Sequence, residues 1–172
     1  TTAPAVDALL NWWGNVAGPG ASQISGPVDF TPWCTNEGCT TFAPDASGNV
    51  NLSGNISVPG GILINEPGIT YQLAANTVIQ NNSPCFVVNA SFTKIYAQPG
   101  AKCIPVGGAN GIDVAADLNN ITIKGLEIDG SGQTSGTADG IHFAGAISDF
   151  VLADNKIHHM RGDGIEFAGA PT

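Results

Sequence analysis

The sequence predicts an all-β solenoid, a parallel β-helix with three short strands per coil, on three observations. A glycine-apolar-polar-apolar pattern occurs three times, at Gly111-Ile112-Asp113-Val114, Gly140-Ile141-His142-Phe143 and Gly164-Ile165-Glu166-Phe167. A second strand follows the first two copies at one offset: Ile121-Thr122-Ile123 begins nine residues after Ile112, and Phe150-Val151-Leu152 nine after Ile141. A third strand repeats as well, Leu126-Glu127-Ile128 being answered by Asn155-Lys156-Ile157. Self-similarity at such a period marks a repeat architecture. The step from Ile141 to Ile165 is 24 residues, and that from Ile112 to Ile141 is 29, the excess matching the Gly/Ser/Thr-rich insert from Gly130 to Ala138. Three alternating strands with turns need about that length. The leucine-dense signature of leucine-rich repeats is absent.

Stacking such coils at roughly 4.8 Å pairs each backbone with its neighbours and gathers the aliphatic positions into an interior column. The inward set is Ile112, Val114, Ile121, Ile123, Leu126, Ile128, Ile141, Phe143, Phe150, Leu152, Ile157, Ile165 and Phe167. Asn155 takes the place held by Leu126 one coil earlier and is expected to bond to backbone through its amide. Outward columns follow from the same register: Asp113, His142 and Glu166 in one, Glu127 over Lys156, and Asp129 over His158. Opposite charges one strand apart help fix register, each exposed pair contributing only tenths of a kcal/mol.

In chain order, residues 1 to 45 form a Trp-rich segment for capping or inter-subunit docking, and residues 46 to 172 the β-helix. The first segment holds all three tryptophans, Trp12, Trp13 and Trp33. Val6, Leu9, Leu10 and Trp13 follow helical spacing, although a strand over the same residues is equally arguable. Burying one Trp removes roughly 150 to 250 Å² from water, so Val6, Leu9, Leu10, Trp12, Trp13, Phe30 and Trp33 are expected to dock on the solenoid or on another chain. From Asn49 the strands Val50-Asn51-Leu52, Ile56-Ser57-Val58, Ile62-Leu63-Ile64, Ile69 to Leu73 and Thr77-Val78-Ile79 alternate with Gly, Pro and Asn turns. Cys85-Phe86-Val87-Val88 then occupies the place of the later glycine patterns, with Cys103 in the following turn region. Only three coils have clear register.

The four cysteines fall into local pairs, Cys34 with Cys39 and Cys85 with Cys103. Their spacing does not match a zinc site. Three disulfide connectivities are formally open; the sequential one is favoured because both loops are short, and it implies an oxidising, extracytoplasmic setting. Charged residues are 11% of the chain and the formal net charge is −9 with five Lys and Arg. That balance argues against nucleic acid and anionic membrane, which need clustered cations. No apolar run approaches the length of a membrane-spanning helix. No cofactor or metal site is expected, because no clustered Asp triad for Ca²⁺ is visible.

Asp139-Gly140-Ile141 and Asn155-Lys156-Ile157-His158 give the coil pattern a resemblance to the right-handed parallel β-helix proteins of the pectin-lyase-like superfamily, over roughly residues 46 to 170. Asn11-Trp12-Trp13-Gly14, Gly18-Pro19 and Val28-Asp29-Phe30-Thr31-Pro32-Trp33 resemble the NWWG…GP…VDFTPW module of large bacterial surface and secreted β-helix repeat proteins. There the module usually follows the last coil, whereas here it precedes the first.

Three functions follow as expectations. The first is a non-catalytic extracellular building block that associates head to tail, since the end coils of a solenoid carry unpaired backbone groups and no C-terminal cap is visible after Ile165 and Phe167. The second, implied by the superfamily, is polysaccharide lyase, hydrolase or epimerase chemistry. Its candidates are His142, Lys156, His158, Arg161 and Asp163, with His159 and Glu166 nearby. Asp139 and Asp163 read more simply as turn initiators before glycine. The third is binding of a surface polysaccharide without turnover, on a shelf of Trp12, Trp13 or Trp33.

Overall fold

A computed structural model describes residues 6–7, 11–20, 28–29 and 32–169. Strands β1 (Val6–Asp7) and β2 (Val28–Asp29) pair in parallel, so Val6 is extended rather than helical. Leu9, Leu10 and Phe30 lie outside the described residues.

The solenoid follows as five coils of three strands. They are β3 (Asn49–Leu52), β4 (Asn55–Ile56) and β5 (Ile62–Ile64); β6 (Thr70–Leu73), β7 (Val78–Asn81) and β8 (Phe86–Val88); β9 (Lys94–Ala97), β10 (Lys102–Pro105) and β11 (Ile112–Val114). Then come β12 (Leu118–Lys124), β13 (Glu127–Asp129) and β14 (Ile141–Phe143), and finally β15 (Ile147–Ala153), β16 (Lys156–His158) and β17 (Ile165–Phe167). Each strand pairs in parallel with its counterparts one coil away, which gives three five-stranded sheets: β3-β6-β9-β12-β15, β4-β7-β10-β13-β16 and β5-β8-β11-β14-β17. The protein is therefore an all-β parallel β-helix with three strands per coil. Five coils are in register where the sequence pattern showed three, because the second coil has Cys85-Phe86 in place of the glycine-isoleucine pair and so separates Gly61-Ile62 of the first coil from the later copies.

Register places like residues in files. Ile62, Phe86, Ile112, Ile141 and Ile165 stack in one; Ile64, Val88, Val114, Phe143 and Phe167 form the next. A third runs through Ile56, Ile79, Cys103, Ile128 and Ile157, and a fourth through Val50, Tyr71, Ile95, Ile123 and Leu152. Members of the inner coils are sealed: Phe86, Ile112, Ile123, Ile128 and Ile141 are all 0% exposed. In the fifth coil Phe150, Leu152, Ile157 and Phe167 are only partly covered, and Ile165 is 42% exposed, since no described strand lies on its outer side. Burial pushes the Tyr71 hydroxyl's pKa up within the same core.

Polar side chains close the corners between strands. The Asn155 amide accepts from Leu126 N (3.0 Å) and donates to Ile123 O (2.8 Å), as its place in the repeat implied. Asn81 does the same earlier, accepting from Val58 N (2.7 Å). The disulfide of Cys85 with Cys103 ties the second coil to the third, and Cys103 sits inside β10 at 0% exposure rather than in a turn.

The repeated glycine has a steric cause. A Cβ on Gly111 would strike the Gly140 carbonyl oxygen and Ile128 Cγ2, and one on Gly140 would strike the Gly164 carbonyl and Ile157 Cγ2. Those carbonyls accept the ladder bonds from Ile112 N (2.9 Å) and Ile141 N (3.0 Å), so they cannot move aside without breaking the stack. Overpacking typically costs about 1–3 kcal/mol, and here the obstacle is backbone. Gly140→Ala is accordingly expected to lower the urea-unfolding free energy by at least that amount, while Gly164→Ala, exposed and approached only by Ile157 Cγ2, costs less.

Residues 32–44 lie against the first coil. Cys34 pairs with Cys39, Cys34 forms an antiparallel bridge with Phe42, and Thr40 O accepts from Leu63 N at 2.6 Å. Cys34 and Phe42 are buried in the same core as Val50 and Leu52, with Trp12 packed on it. The Trp33 ring covers Gly18, where a Cβ would collide with it, and Trp33 Nε1 donates to Val16 O (3.1 Å). Trp33 is thus an anchor within this segment.

Candidate functional site

Three surfaces carry the residues that the sequence singles out. The first is the outer side of the fifth coil. Among the described residues β15, β16 and β17 each have a strand neighbour on one side only. Phe143, Phe150 and Phe167 cluster there, with Phe167 stacked parallel on Phe143 at 4.5 Å between ring centres. Beside them Ile165 is exposed, and Val151 on the flank is 51% exposed. The outermost layer therefore combines apolar side chains with unpaired strand edges.

The second surface is the outward face of β10, β13 and β16. Glu127 projects between Lys102 on one side and Lys156 on the other, with Nζ at 3.2 and 2.9 Å, and His158 Nε2 lies 2.9 Å from Glu127 Oε1. Hydrogen bonds from Lys156 and then His158 hold the Glu127 carboxyl down at about 2. Asp129 caps the short 3₁₀ turn Gly130–Gly132, accepting from Ser131 N (3.0 Å), and faces His159 Nδ1 at 3.1 Å. Desolvation works against its ionised form, yet the bonds from His159 and Ser131 outweigh it and bring Asp129 to about 2.

The third surface is the outward column of β11, β14 and β17. His142 stands between Asp113 (3.6 Å) and Glu166 (3.5 Å), in the register that the repeat implied. Asp139, nearly buried, accepts from Asp163 N (2.7 Å), which ties the fourth coil to the fifth. Asp139 is therefore a cross-coil bracket and not merely a local turn residue. A hydrogen bond between Glu166 and Asp139, reinforced by charge repulsion, raises the Glu166 carboxyl above its ordinary 4.5. A group raised on folding contributes stability below its unfolded pKa and loses it as pH climbs through the folded one. Glu166→Gln is thus expected to be more stable than the parent at neutral pH and to lose that advantage below pH 4.5. Urea midpoints on either side of that value check it; an advantage independent of pH would contradict it.

The five polysaccharide candidates do not converge. His142 belongs to one sheet and Lys156 and His158 to another. Arg161 is bound to the insert through its N to Gln133 Oε1 (2.9 Å) and its Nε to Gly136 O (3.3 Å). Asp163 is the exposed partner of Asp139. The sequence reading missed the contact of Asp139 with Glu166, although the Asp-Gly pairs one coil apart at Asp139 and Asp163 carried the signal. A groove of about 580 Å³ lies between the N-terminal segment and the first coils, lined among others by Phe42, Leu63, Ile69 and Tyr71 but by no tryptophan.

No protein-family model, no curated protein and no solved structure matches the chain. The class defined by fold and site is a disulfide-bonded parallel β-solenoid. No helix among the described residues is long and apolar enough to cross a membrane.

Proposed function

We propose that the protein is a non-catalytic extracellular structural β-helix, a building block of a surface assembly or filament that grows by head-to-tail stacking of solenoid ends. The fifth coil carries this reading. It offers Ile165 and Phe167 together with three strand edges that are single-sided among the described residues, which a second copy would cover by a heterologous contact that propagates. Two disulfides suit an oxidising compartment. The likeness of the Trp-rich segment to modules of bacterial surface proteins points the same way. Light scattering and negative-stain imaging of concentrated protein are expected to show large species or filaments, and Ile165→Lys is expected to abolish them with the circular dichroism unchanged. Protein that stays monomeric under those conditions sinks the proposal.

One observation favours a second reading, action on an acidic polysaccharide. The Glu166 carboxyl, raised by the neighbouring Asp139 carboxyl and 3.5 Å from His142 Nε2, has the form of an acid–base pair. Under that reading pectin or alginate yields unsaturated, ultraviolet-absorbing products that Glu166→Gln abolishes, and absence of product from both polymers removes it.

A further inference from the structure

The face of β13 and β16 holds three ligand-type atoms at one point. His158 Nδ1 lies 2.8 Å from His159 Nδ1, His159 Nδ1 lies 3.1 Å from Asp129 Oδ1, and His158 Nδ1 lies 3.8 Å from Asp129 Oδ1. Donors around a tetrahedral zinc ion, each about 2.0–2.2 Å from the metal, sit about 3.3 Å from one another. The three observed separations bracket that value.

The carboxylate beside His158 strengthens the geometry. Glu127, ionised and gripped by Lys102 and Lys156, can only accept, so the His158 Nε2 facing it at 2.9 Å carries the hydrogen. In the neutral ring Nδ1 is then a lone pair. Asp129 Oδ1 is likewise an acceptor. A cation at the point where His158 Nδ1, His159 Nδ1 and Asp129 Oδ1 converge would bond to all three atoms. A carboxylate that orients a histidine through its far nitrogen is the usual outer support of a metal ligand.

The backbone brings these rings together against the normal alternation of a strand, which sends adjacent side chains to opposite faces. His159 has φ +57, in the left-handed region, and this turn swings its imidazole back beside that of His158, with ring centres 4.5 Å apart. Gly130 leaves room for it, since a Cβ there would press on the His159 carbonyl and Met160 Sδ.

We propose that His158, His159 and Asp129 form a three-ligand site for a borderline divalent metal ion, Zn²⁺ being the expected occupant, oriented by Glu127 and open at a fourth position. Two imidazoles and one carboxylate suit zinc, copper or nickel better than calcium or magnesium, which take oxygen ligands. The His159 side chain is 66% exposed, so the fourth position faces solvent and is accessible to water or to an oxygen of a bound molecule. Because Asp129 belongs to the fourth coil and the histidines to the fifth, the ion would also clip the outermost coil to its neighbour.

Titration calorimetry of the whole, untagged chain with zinc chloride tests this. One ion per chain is expected, with saturable binding that is lost in His159→Ala and in Asp129→Asn and unchanged in His142→Ala. Glu127→Gln is expected to weaken affinity by about 10–100-fold without abolishing it. Far-UV dichroism and metal-free melting confirm that each variant folds; should Asp129→Asn fail there, exposed His159→Gln serves in its place. Absence of saturable zinc binding, binding that survives in His159→Ala, or calcium binding as tightly as zinc would each overturn the site.

Discussion

Phe143→Ala is expected to lower the free energy of unfolding by about 3–5 kcal/mol, the range for truncating a buried aromatic. Phe143 is 0% exposed, stacks on Phe167 at 4.5 Å and packs against Phe150 at 5.7 Å. The ring is the bridge between the fourth coil and the fifth, lying in register with Val114 on one side and Phe167 on the other. In a solenoid each repeat is stabilised by its intrinsic terms and by its nearest neighbours. The loss should therefore be local before it is global. Urea unfolding is expected to give the stated drop, and amide hydrogen exchange is expected to show β15 to β17 losing protection while β6 to β11 keep theirs. Phe167→Ala, at a half-exposed site, is expected to cost less. Equal costs for the two substitutions would mean that Phe167 is as fully packed as Phe143, against its partial exposure.

Removing the second disulfide, by Cys85→Ala with Cys103→Ala, is expected to cost about 3 kcal/mol. The bridge closes a loop of 18 residues, and the chain-entropy relation gives about that figure for a loop of such length. Both sulfurs are buried, so the double substitution also leaves unfilled space in the file that runs through Ile79, Cys103 and Ile128. The bridge of Cys34 with Cys39 spans only 5 residues, for which the same relation gives about 2 kcal/mol. Thermal melts of the two double variants should therefore rank the Cys85–Cys103 pair as the more costly. The opposite order would show that the N-terminal segment, and not the stack of coils, limits stability.

Much of the fold was legible because the pattern that forms a coil also repeats in letters. The glycine before Ile112 and before Ile141 recurs because its Cα passes close to a backbone carbonyl of the next coil, a constraint that depends on stacking alone. Asn155 was readable for a similar reason, since an amide in an aliphatic position must find backbone partners. The first two coils were less legible. The second coil has Cys85 where the first and the later coils have glycine, so Gly61-Ile62 stood apart from the repeats that follow. The exposure of Ile165 could not be read from its inward-type position, because inwardness is a property of the strand whereas burial needs a neighbour on both sides.

The sites were legible only in part. Outward columns such as Asp113, His142 and Glu166 follow from register, and they stand as expected. Asp129 over His158 follows as well. The meeting of His158 with His159 does not, since alternation would part them, and only the positive φ at His159 joins them. Nor did five candidate residues in one stretch of sequence mean one site, for His142 lies on β14, Lys156 and His158 lie on β16 in another sheet, and Arg161 and Asp163 lie in the turn before β17.

The layered interior is tested most directly by nuclear Overhauser contacts between isoleucine methyl groups in selectively labelled protein. A stack of coils places Ile112 beside Ile141, Ile141 beside Ile165, and Ile128 beside Ile157, all far apart in sequence. Cross-peaks linking those pairs are the expected result. A spectrum in which Ile112 and Ile141 share no contact, or in which Ile128 pairs with Ile141 in place of Ile157, would contradict the stacked register.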